Sequence, residues 1–551
     1  MMQQQPPMMQ APQQNMQGGP PAPKKHLKPV IILSRFTQIS AIVSKEFILW
    51  SRSYKSLIVK YILLFILAYI YSSFSALSCY IPLLVGICLS IMEPKAFVEQ
   101  MANEKELNFK STFKLMGLSE TAYFIGNFAF RLCTSMIMLG VFLLASAVTY
   151  NGQFGIMMDF KYFGAFLLGF YLLLLANLAY FQCLSEFIPN PKDVKHIIPL
   201  IMAILFLYPI VWIAIGGSWE TSVLEYILLG ASPMGAYFLF VKELFVKNAG
   251  FNSTTFIYLG VLFLEFVVYS ILYFILSGYI GFSSGVSRKL FRSKGKSIAT
   301  SDIEGPLNPN QAVMSIMNLK KRFGSFYALD DISMDINSNV ITCILGHNGA
   351  GKSTLINTIV GILSPTEGSV TLRGEDVYSS PDVLSGRVGY CTSHDVLYED
   401  MTVSEFMIFI AYIKGIQDPL RYVNELIERC ELRPYSDQFT KNLSGGTRRR
   451  TSIACAALGE PEVIFMDEPS SGVDPENRRQ IWKLIEGLKS PTRAVILTTH
   501  HLEEAEYLSE DVVIMDKGQI EIRGNPQHIM ANFGVGYTLN VENQASRQQA
   551  E

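Results

Sequence analysis

Charge is scarce in this sequence. Only 17% of its 551 residues are Asp, Glu, Lys or Arg, and the formal net charge is -2. A nucleic-acid partner calls for a clustered basic face, so that function class is excluded. Cysteine pairing is missing too. The eight cysteines stand singly with no CxxC, and Cys343, Cys391, Cys430 and Cys455 read as reduced packing residues, with no zinc or disulfide framework implied. The opening residues lack an apolar stretch behind a basic start, which predicts no cleaved secretory signal. What is abundant is apolar surface: 50% of the residues are hydrophobic and the mean hydropathy is +0.27, values that place part of the chain in lipid.

The apolar residues are unevenly spread. They come in nearly charge-free blocks from about Leu57 to Phe282, whereas from Ala312 onward the pattern is that of a mixed α/β domain. Residues 1–28, rich in Gln, Pro and Met, read as a disordered tail. Within 29–56, the stretch from Phe36 to Ser53 is amphipathic with Trp50 and basic residues near its end; it predicts a helix along the cytosolic interface, an ordinary cytosolic helix being the alternative. Because ~20 apolar residues cross the hydrocarbon, residues 57–287 hold six candidate spans, near 57–75, 77–92, 123–149, 162–187, 196–216 and 256–281. The first two are one unbroken apolar run, but Lys45, Arg52 and Lys55 precede it and Lys95, Lys105, Lys110 and Lys114 follow it, so the positive-inside rule makes it two spans. The basic linker 288–311, the α/β domain 312–535, the tail 536–551 and both termini then fall in the cytosol. Glu265 in the last span and Arg131 near the start of the third are ionisable groups in lipid, hence functional-site candidates unless paired or facing a wet bundle interior.

Behind the β-forming run Val340 to Leu345 comes Gly346-His347-Asn348-Gly349-Ala350-Gly351-Lys352-Ser353-Thr354, then a helical pattern. This is GxxxxGK[ST] between strand and helix: a backbone that folds around β- and γ-phosphates with N–H groups inward, at a helix N-terminus that favours anions. Lys352 supplies a point charge and Ser353 a ligand for Mg²⁺. A second apolar strand, Val463 to Met466, ends in Asp467-Glu468, where the first carboxylate can hold Mg²⁺ through water and the second can orient and deprotonate the attacking water. Leu443-Ser444-Gly445-Gly446-Thr447 lies between these elements; Ser471-Gly472-Val473-Asp474 and the strand AVILTT before His500 lie beyond them.

Together these residues resemble the ATP-binding cassette of ABC transporters over roughly 312–530. The resemblance implies that Leu443, Ser444, Gly445, Gly446 and Thr447 complete a site in trans on the nucleotide of a second cassette, so that a dimer, of two copies or with another half-transporter, forms. It implies Asp467 as the Walker B aspartate, Glu468 as the catalytic glutamate, Ser471 and Asp474 in the D-loop, and His500 as the histidine at the γ-phosphate, with His501 next to it. Phe323 fits the aromatic that stacks on adenine, Tyr327 or plain core packing being the alternatives. Ser393 stands where the family has glutamine and is too short to reach in the same way, leaving water or His394 to carry the coupling, or hydrolysis slow. The order of membrane domain before cassette, the segment ANEKELNFKSTFKLMGLSETAYFIG, GHNGAGKST and THHLEEAE resemble the A subfamily, which is linked mostly to lipid movement, and make 93–121 a cytosolic loop transmitting cassette closure. The expectation is a multi-pass half-transporter that binds ATP and Mg²⁺ and moves a lipid-like substrate. The rival is an ATP-sensing membrane protein whose cassette switches without pumping.

Overall fold

The apolar strand sequences ITCIL, VIFMD and AVILTT are buried almost throughout, as strands covered on both faces of a parallel sheet must be. They are β3 (Ile341–Leu345), β7 (Val463–Asp467) and β8 (Ala494–Thr499) of a six-stranded sheet. Its order is β10-β9-β3-β8-β7-β6, where β6 is Val388–Cys391, β9 is Asp511–Asp516 and β10 is Gln519–Gly524; only β10 runs antiparallel to its neighbour. A second, antiparallel sheet has the order β2-β1-β4-β5, from β1 (Ala312–Phe323), β2 (Phe326–Asn337), β4 (Glu367–Leu372) and β5 (Glu375–Asp376). This is an α/β fold of two sheets, with the loops that matter at the carboxyl ends of β3, β7 and β8. Helix Val403–Ile413, opened by a full capping box between Thr402 and Glu405, and helix Pro419–Arg429, capped by Asp418, form an attached helical layer.

The computed structural model of the chain describes residues 35–53, 98–105, 109–149, 160–188, 193, 196–197, 200, 233–241, 253–280, 312–378 and 383–533. The expected tails, the linker, the spans at 57–75 and 77–92 and most of 196–216 lie outside the described residues. The other three spans coincide with helices Glu120–Thr149, Phe160–Phe187 and Ser253–Ile280. Two stretches, Gly164–Phe187 and Ser253–Ser277, are long and apolar enough to cross a membrane by length and composition. A short apolar helix, Pro233–Val241, packs against both, and a Cβ on Gly169 would fall inside the Phe240 ring.

Helix Arg35–Arg52 carries its polar residues on the inside. Gln38, Lys45 and Glu46 are buried with Ala41 and Ile42, while Phe36 and Phe47 stand 79% and 57% exposed. The buried face packs on helix Glu120–Thr149, so closely that a Cβ on Gly126 would come within 2.7 Å of Ile42, and on helix Val403–Ile413 of the α/β domain. One apolar core therefore runs from Ile42 and Phe113 into Phe406 and Ile410 without a break.

Candidate functional site

β3 ends at the glycine-rich loop. Gly346 has no room for a side chain, since a Cβ there would lie 2.5 Å from the Met515 carbonyl. Gly351 caps helix Lys352–Ile359 from the left-handed region (φ 103°), a conformation that glycine adopts freely. Lys352 Nζ donates to the carbonyls of Gly346 (2.8 Å) and His347 (3.1 Å) and stands 4.0 Å from Glu468 Oε1. Ser353 and Thr354 follow in the first helical turn, and Ser353 Oγ donates to Asp467 Oδ1 at 3.1 Å. Asn348, Gly349 and Ser353 face solvent, whereas Ala350 is buried under the loop. At the lip of the loop His347 Nε2 meets Asp516 Oδ1 at 2.6 Å and Nδ1 meets the Asn348 carbonyl at 2.7 Å. That carbonyl first, then the Asp516 carboxylate, raises the imidazole pKa above the usual histidine value.

β7 and β8 bring in the second half. Thr498 donates to Asp467 Oδ1 (2.6 Å), and Glu468 N donates to Thr498 Oγ1 (3.0 Å), so one threonine sets both acidic residues. Glu468 holds φ 47°, a left-handed conformation that costs a non-glycine residue of order 1 kcal/mol and clusters at functional sites. Its carboxylate reaches His500 Nδ1 at 3.5 Å. His501 caps the next helix instead, its pKa lowered by burial and then by the neighbouring His500 charge. Lys352, Ser353, Asp467, Glu468 and His500 thus converge at the carboxyl ends of β3, β7 and β8, with Ser353 and His500 exposed and Lys352 and Asp467 buried. The hydroxyl of Ser353 and the carboxylate of Asp467 are hard oxygen donors that fit Mg²⁺, and the inward loop with Lys352 fits a polyphosphate.

Other expected residues lie elsewhere. Ser444 caps helix Gly445–Ala457 through Thr447 N and is exposed together with Gly445. Leu443, Gly446 and Thr447 are buried in their own domain; Gly446 is seated against Asn477, and Thr447 Oγ1 bonds Ser444 Oγ at 2.9 Å. Only Ser444 and Gly445 are presented outward, and among the described residues no hydrogen bond joins them to the loop 346–354. Ser471 is exposed, and Asp474 caps helix Pro475–Gly487 through Asn477. Phe323 and Tyr327 are 47% and 42% exposed on the β1–β2 hairpin, each under a cation, Lys321 at 5.0 Å and Arg322 at 5.5 Å, so core packing accounts for neither.

Ser393 reaches only its neighbour His394, at 3.3 Å. The link between this loop and the acidic pair is made by Arg449, which sequence reading missed. Its buried guanidinium donates to the carbonyls of Thr392 (2.6 Å), Asp467 (2.7 Å), Pro469 (2.8 Å) and Glu468 (3.0 Å). A doubled or tripled arginine after the LSGG segment was the available signal. Five residues beyond Ser393, Tyr398 enters a second network, also missed. Tyr398 OH donates to Glu104 Oε1 (2.9 Å), Lys45 Nζ lies 3.0 Å from the same oxygen and 2.7 Å from Glu46, and Tyr123 OH donates to Glu104 Oε2 (2.5 Å). Arg131 closes the circle on Glu46 at 3.2 Å, which makes it a paired group. Burial works against the Lys45 charge, but Glu104 and Glu46 overturn it and hold the ammonium pKa well above the usual lysine value. Around the charges, Phe109 stacks on Tyr398 at 4.4 Å and Phe113 meets Phe409 edge-on at 5.5 Å. Gln38 adds a clamp, donating to the carbonyls of Gly117 and Ile413 and accepting from Ser119 N.

Residues 329–471 match the protein family described as ABC transporter. Retinal-specific phospholipid-transporting ATPase ABCA4 of Mus musculus is 34% identical over 226 residues, 41% of this chain and 10% of that protein. ATP-binding cassette sub-family A member 2 of Homo sapiens is 36% identical over 39% of this chain and 9% of that protein. ABC transporter A family member 2 of Dictyostelium discoideum is 28% identical across 80% of this chain and 29% of that protein. The chain therefore spans between about a tenth and a third of the length of these relatives.

Proposed function

From a chain that carries an ABC transporter ATP-binding domain and has A-subfamily relatives, we propose ATP-driven transport of a lipid-like substrate across a membrane. The observation that carries this reading is the buried joint at Lys45, Glu104 and Tyr398: it fastens the loop behind the nucleotide site to apolar helices, a connection a soluble ATPase has no use for. Six spans over 57–287 and a cassette over 312–535 complete the proposed layout. Ser444 and Gly445 are exposed and, among the described residues, make no hydrogen bond to the P-loop of their own cassette, which supports a closed site shared with a second cassette.

In that site Lys352 and the loop amides hold the phosphates, Phe323 or Tyr327 offers its exposed ring to the base, and Ser353 and Asp467 hold Mg²⁺. When bound, the metal neutralises charge on the β- and γ-oxygens. Glu468 orients the attacking water and takes its proton on the carboxylate, while His500, 3.5 Å away, steadies that carboxylate and reaches toward the γ-phosphate. Arg449 registers the acidic pair against Thr392, and Tyr398 passes the displacement to Glu104.

The test is phosphate release by the purified chain in lipid, wild type against Glu468→Gln. The amide keeps shape but not basicity, and turnover falls by ~10²–10⁴. Redistribution of labelled lipid between leaflets, present with ATP in the wild type and absent in Glu468→Gln, supports transport. The second reading, an ATP-sensing cassette, draws on Ser393, whose hydroxyl reaches only His394. Wild-type turnover no higher than that of Glu468→Gln favours it.

A further inference from the structure

Glu265 lies midway along helix Ser253–Ile280, only 8% exposed, and among the described residues neither of its carboxylate oxygens has a hydrogen-bond partner. Burying an acidic group without a donor is costly, and in an apolar helix it marks a candidate functional site. Helical spacing puts Glu265 on one stripe with Tyr258, Leu262, Tyr269 and Tyr273, while Phe256, Phe263, Leu264 and Ile271 form the exposed opposite side. The Glu265 stripe faces helix Phe160–Phe187: the ring of Tyr269, one turn along from Glu265, meets the ring of Tyr180 at 5.0 Å and 76°. Both tyrosines are half-buried, so a ligand can reach this ring pair one helical turn from the hidden carboxyl group.

A carboxylate beside two tyrosine rings is the chemistry that receives an ammonium or quaternary ammonium group, with the charge met by the carboxylate and the methyl or methylene shell by the ring faces. An anionic headgroup in the same place meets like charge. We propose that Glu265, Tyr269 and Tyr180 form a site between helices Phe160–Phe187 and Ser253–Ile280 for the cationic end of a zwitterionic phospholipid headgroup. The site deepens the transport reading and rests on it for its lipid. It also separates the chain's two ionisable span candidates, because among the described residues Arg131 has its partner in Glu46 whereas Glu265 has none.

Thermal unfolding of the full chain in detergent tests the site without requiring turnover. Short-chain dihexanoylphosphatidylcholine raises the midpoint of the wild type and dihexanoylphosphatidylglycerol does not. In Glu265→Gln the phosphatidylcholine effect needs at least about tenfold more lipid, as loss of a charged partner implies. Glu265→Asp keeps the charge and the selectivity, which separates lost recognition from a damaged fold. Equal protection of Glu265→Gln and wild type overturns the proposal, as does a wild type that ignores phosphatidylcholine. Protection by tetramethylammonium at the same concentration overturns the lipid assignment. ATP turnover of the same proteins in phosphatidylcholine liposomes is the second arm. Selective binding with no turnover leaves the site standing and sinks the transport reading; turnover with binding indifferent to Glu265 does the reverse.

Discussion

The nucleotide site and the joint behind it are built on opposite plans. At the nucleotide site, Lys352, Ser353, Asp467, Glu468 and His500 gather at the ends of adjacent strands, Lys352 and Asp467 buried but Ser353 and His500 exposed, placed by backbone shape: a Gly346 without space for a Cβ, a Glu468 held at φ 47°. One lysine there stands against two carboxylates, a balance left for an anionic phosphate chain and its metal to complete. At the joint, Lys45, Glu46, Glu104, Tyr123, Arg131 and Tyr398 meet from four separate segments and are all buried. Two cations there balance two carboxylates. A site that binds and releases a ligand can be left incomplete, whereas a part that transmits displacement has to be closed and satisfied, since a half-paired buried charge would let it open.

The largest effect expected from breaking this contrast is at Lys45. Lys45→Met keeps length and packing but leaves Glu46 and Glu104 with Arg131 as the one remaining cation. Removing one member of a buried ion pair typically costs ~3–5 kcal/mol, which is read as a drop in the thermal midpoint of the full chain. The effect depends on pH. Burial opposes the Glu46 charge, but Lys45 and Arg131 hold its pKa below the usual carboxylate value. Stability from that group is therefore present above the ordinary glutamate range and lost as pH falls through the lowered value. The penalty of Lys45→Met should shrink toward acid pH, and a penalty that is the same at pH 4 and pH 8 would remove the charge explanation.

The two plans also differ in how far sequence reading could see them. The loop Gly346 to Thr354, the acidic pair and His500 are local strings tied to strand ends, so their place follows from order and spacing, and the two helices apolar and long enough to cross a membrane could be placed from hydropathy. The joint has no such string. Lys45 and Tyr398 are 353 residues apart, and helix Arg35–Arg52 reads as a membrane-surface helix because of the very polar residues that it buries against the rest of the protein. Its exposed Phe36 and Phe47 suit the expected interface, but the reason lies in which side the α/β domain covers. Arg449 was hidden for the same cause: its value comes from four backbone carbonyls that only the fold collects.

A second buried lysine sharpens the comparison. Lys414 is as fully buried as Lys45, yet its hydrogen-bond acceptor is a neutral carbonyl, that of Leu458. Burial dominates, with the nearby Arg493 charge in the same direction, and lowers its pKa to about 7. Between about pH 7 and the unfolded lysine value near ~10.4, the unfolded chain binds a proton that the folded one does not. Stability should rise with pH across that window, by at most ~1.4 kcal/mol per pH unit, and Lys414→Met should flatten the slope. Urea unfolding at pH 7 and pH 9 measures it; a wild type without the rise, or a variant that keeps it, would put Lys414 in the same charged class as Lys45.

The smallest effect is expected at the rim of the same interface. Arg52 forks onto both carboxylate oxygens of Glu405 at 2.7 Å and lies over the Phe439 ring at 4.7 Å, a geometry at least as regular as that of Lys45. Both side chains keep about a quarter of their surface in water, 26% and 30%. Exposed pairs contribute ~0.2–1 kcal/mol, so the coupling energy of an Arg52→Ala, Glu405→Ala double-mutant cycle should fall in that range and decline in high salt. The cycle is needed because Glu405 also accepts from Thr402 N in the capping box, a contribution the single Glu405→Ala change would add to the pair. A coupling energy as large as the Lys45→Met penalty would mean that burial is not what separates the joint from its rim.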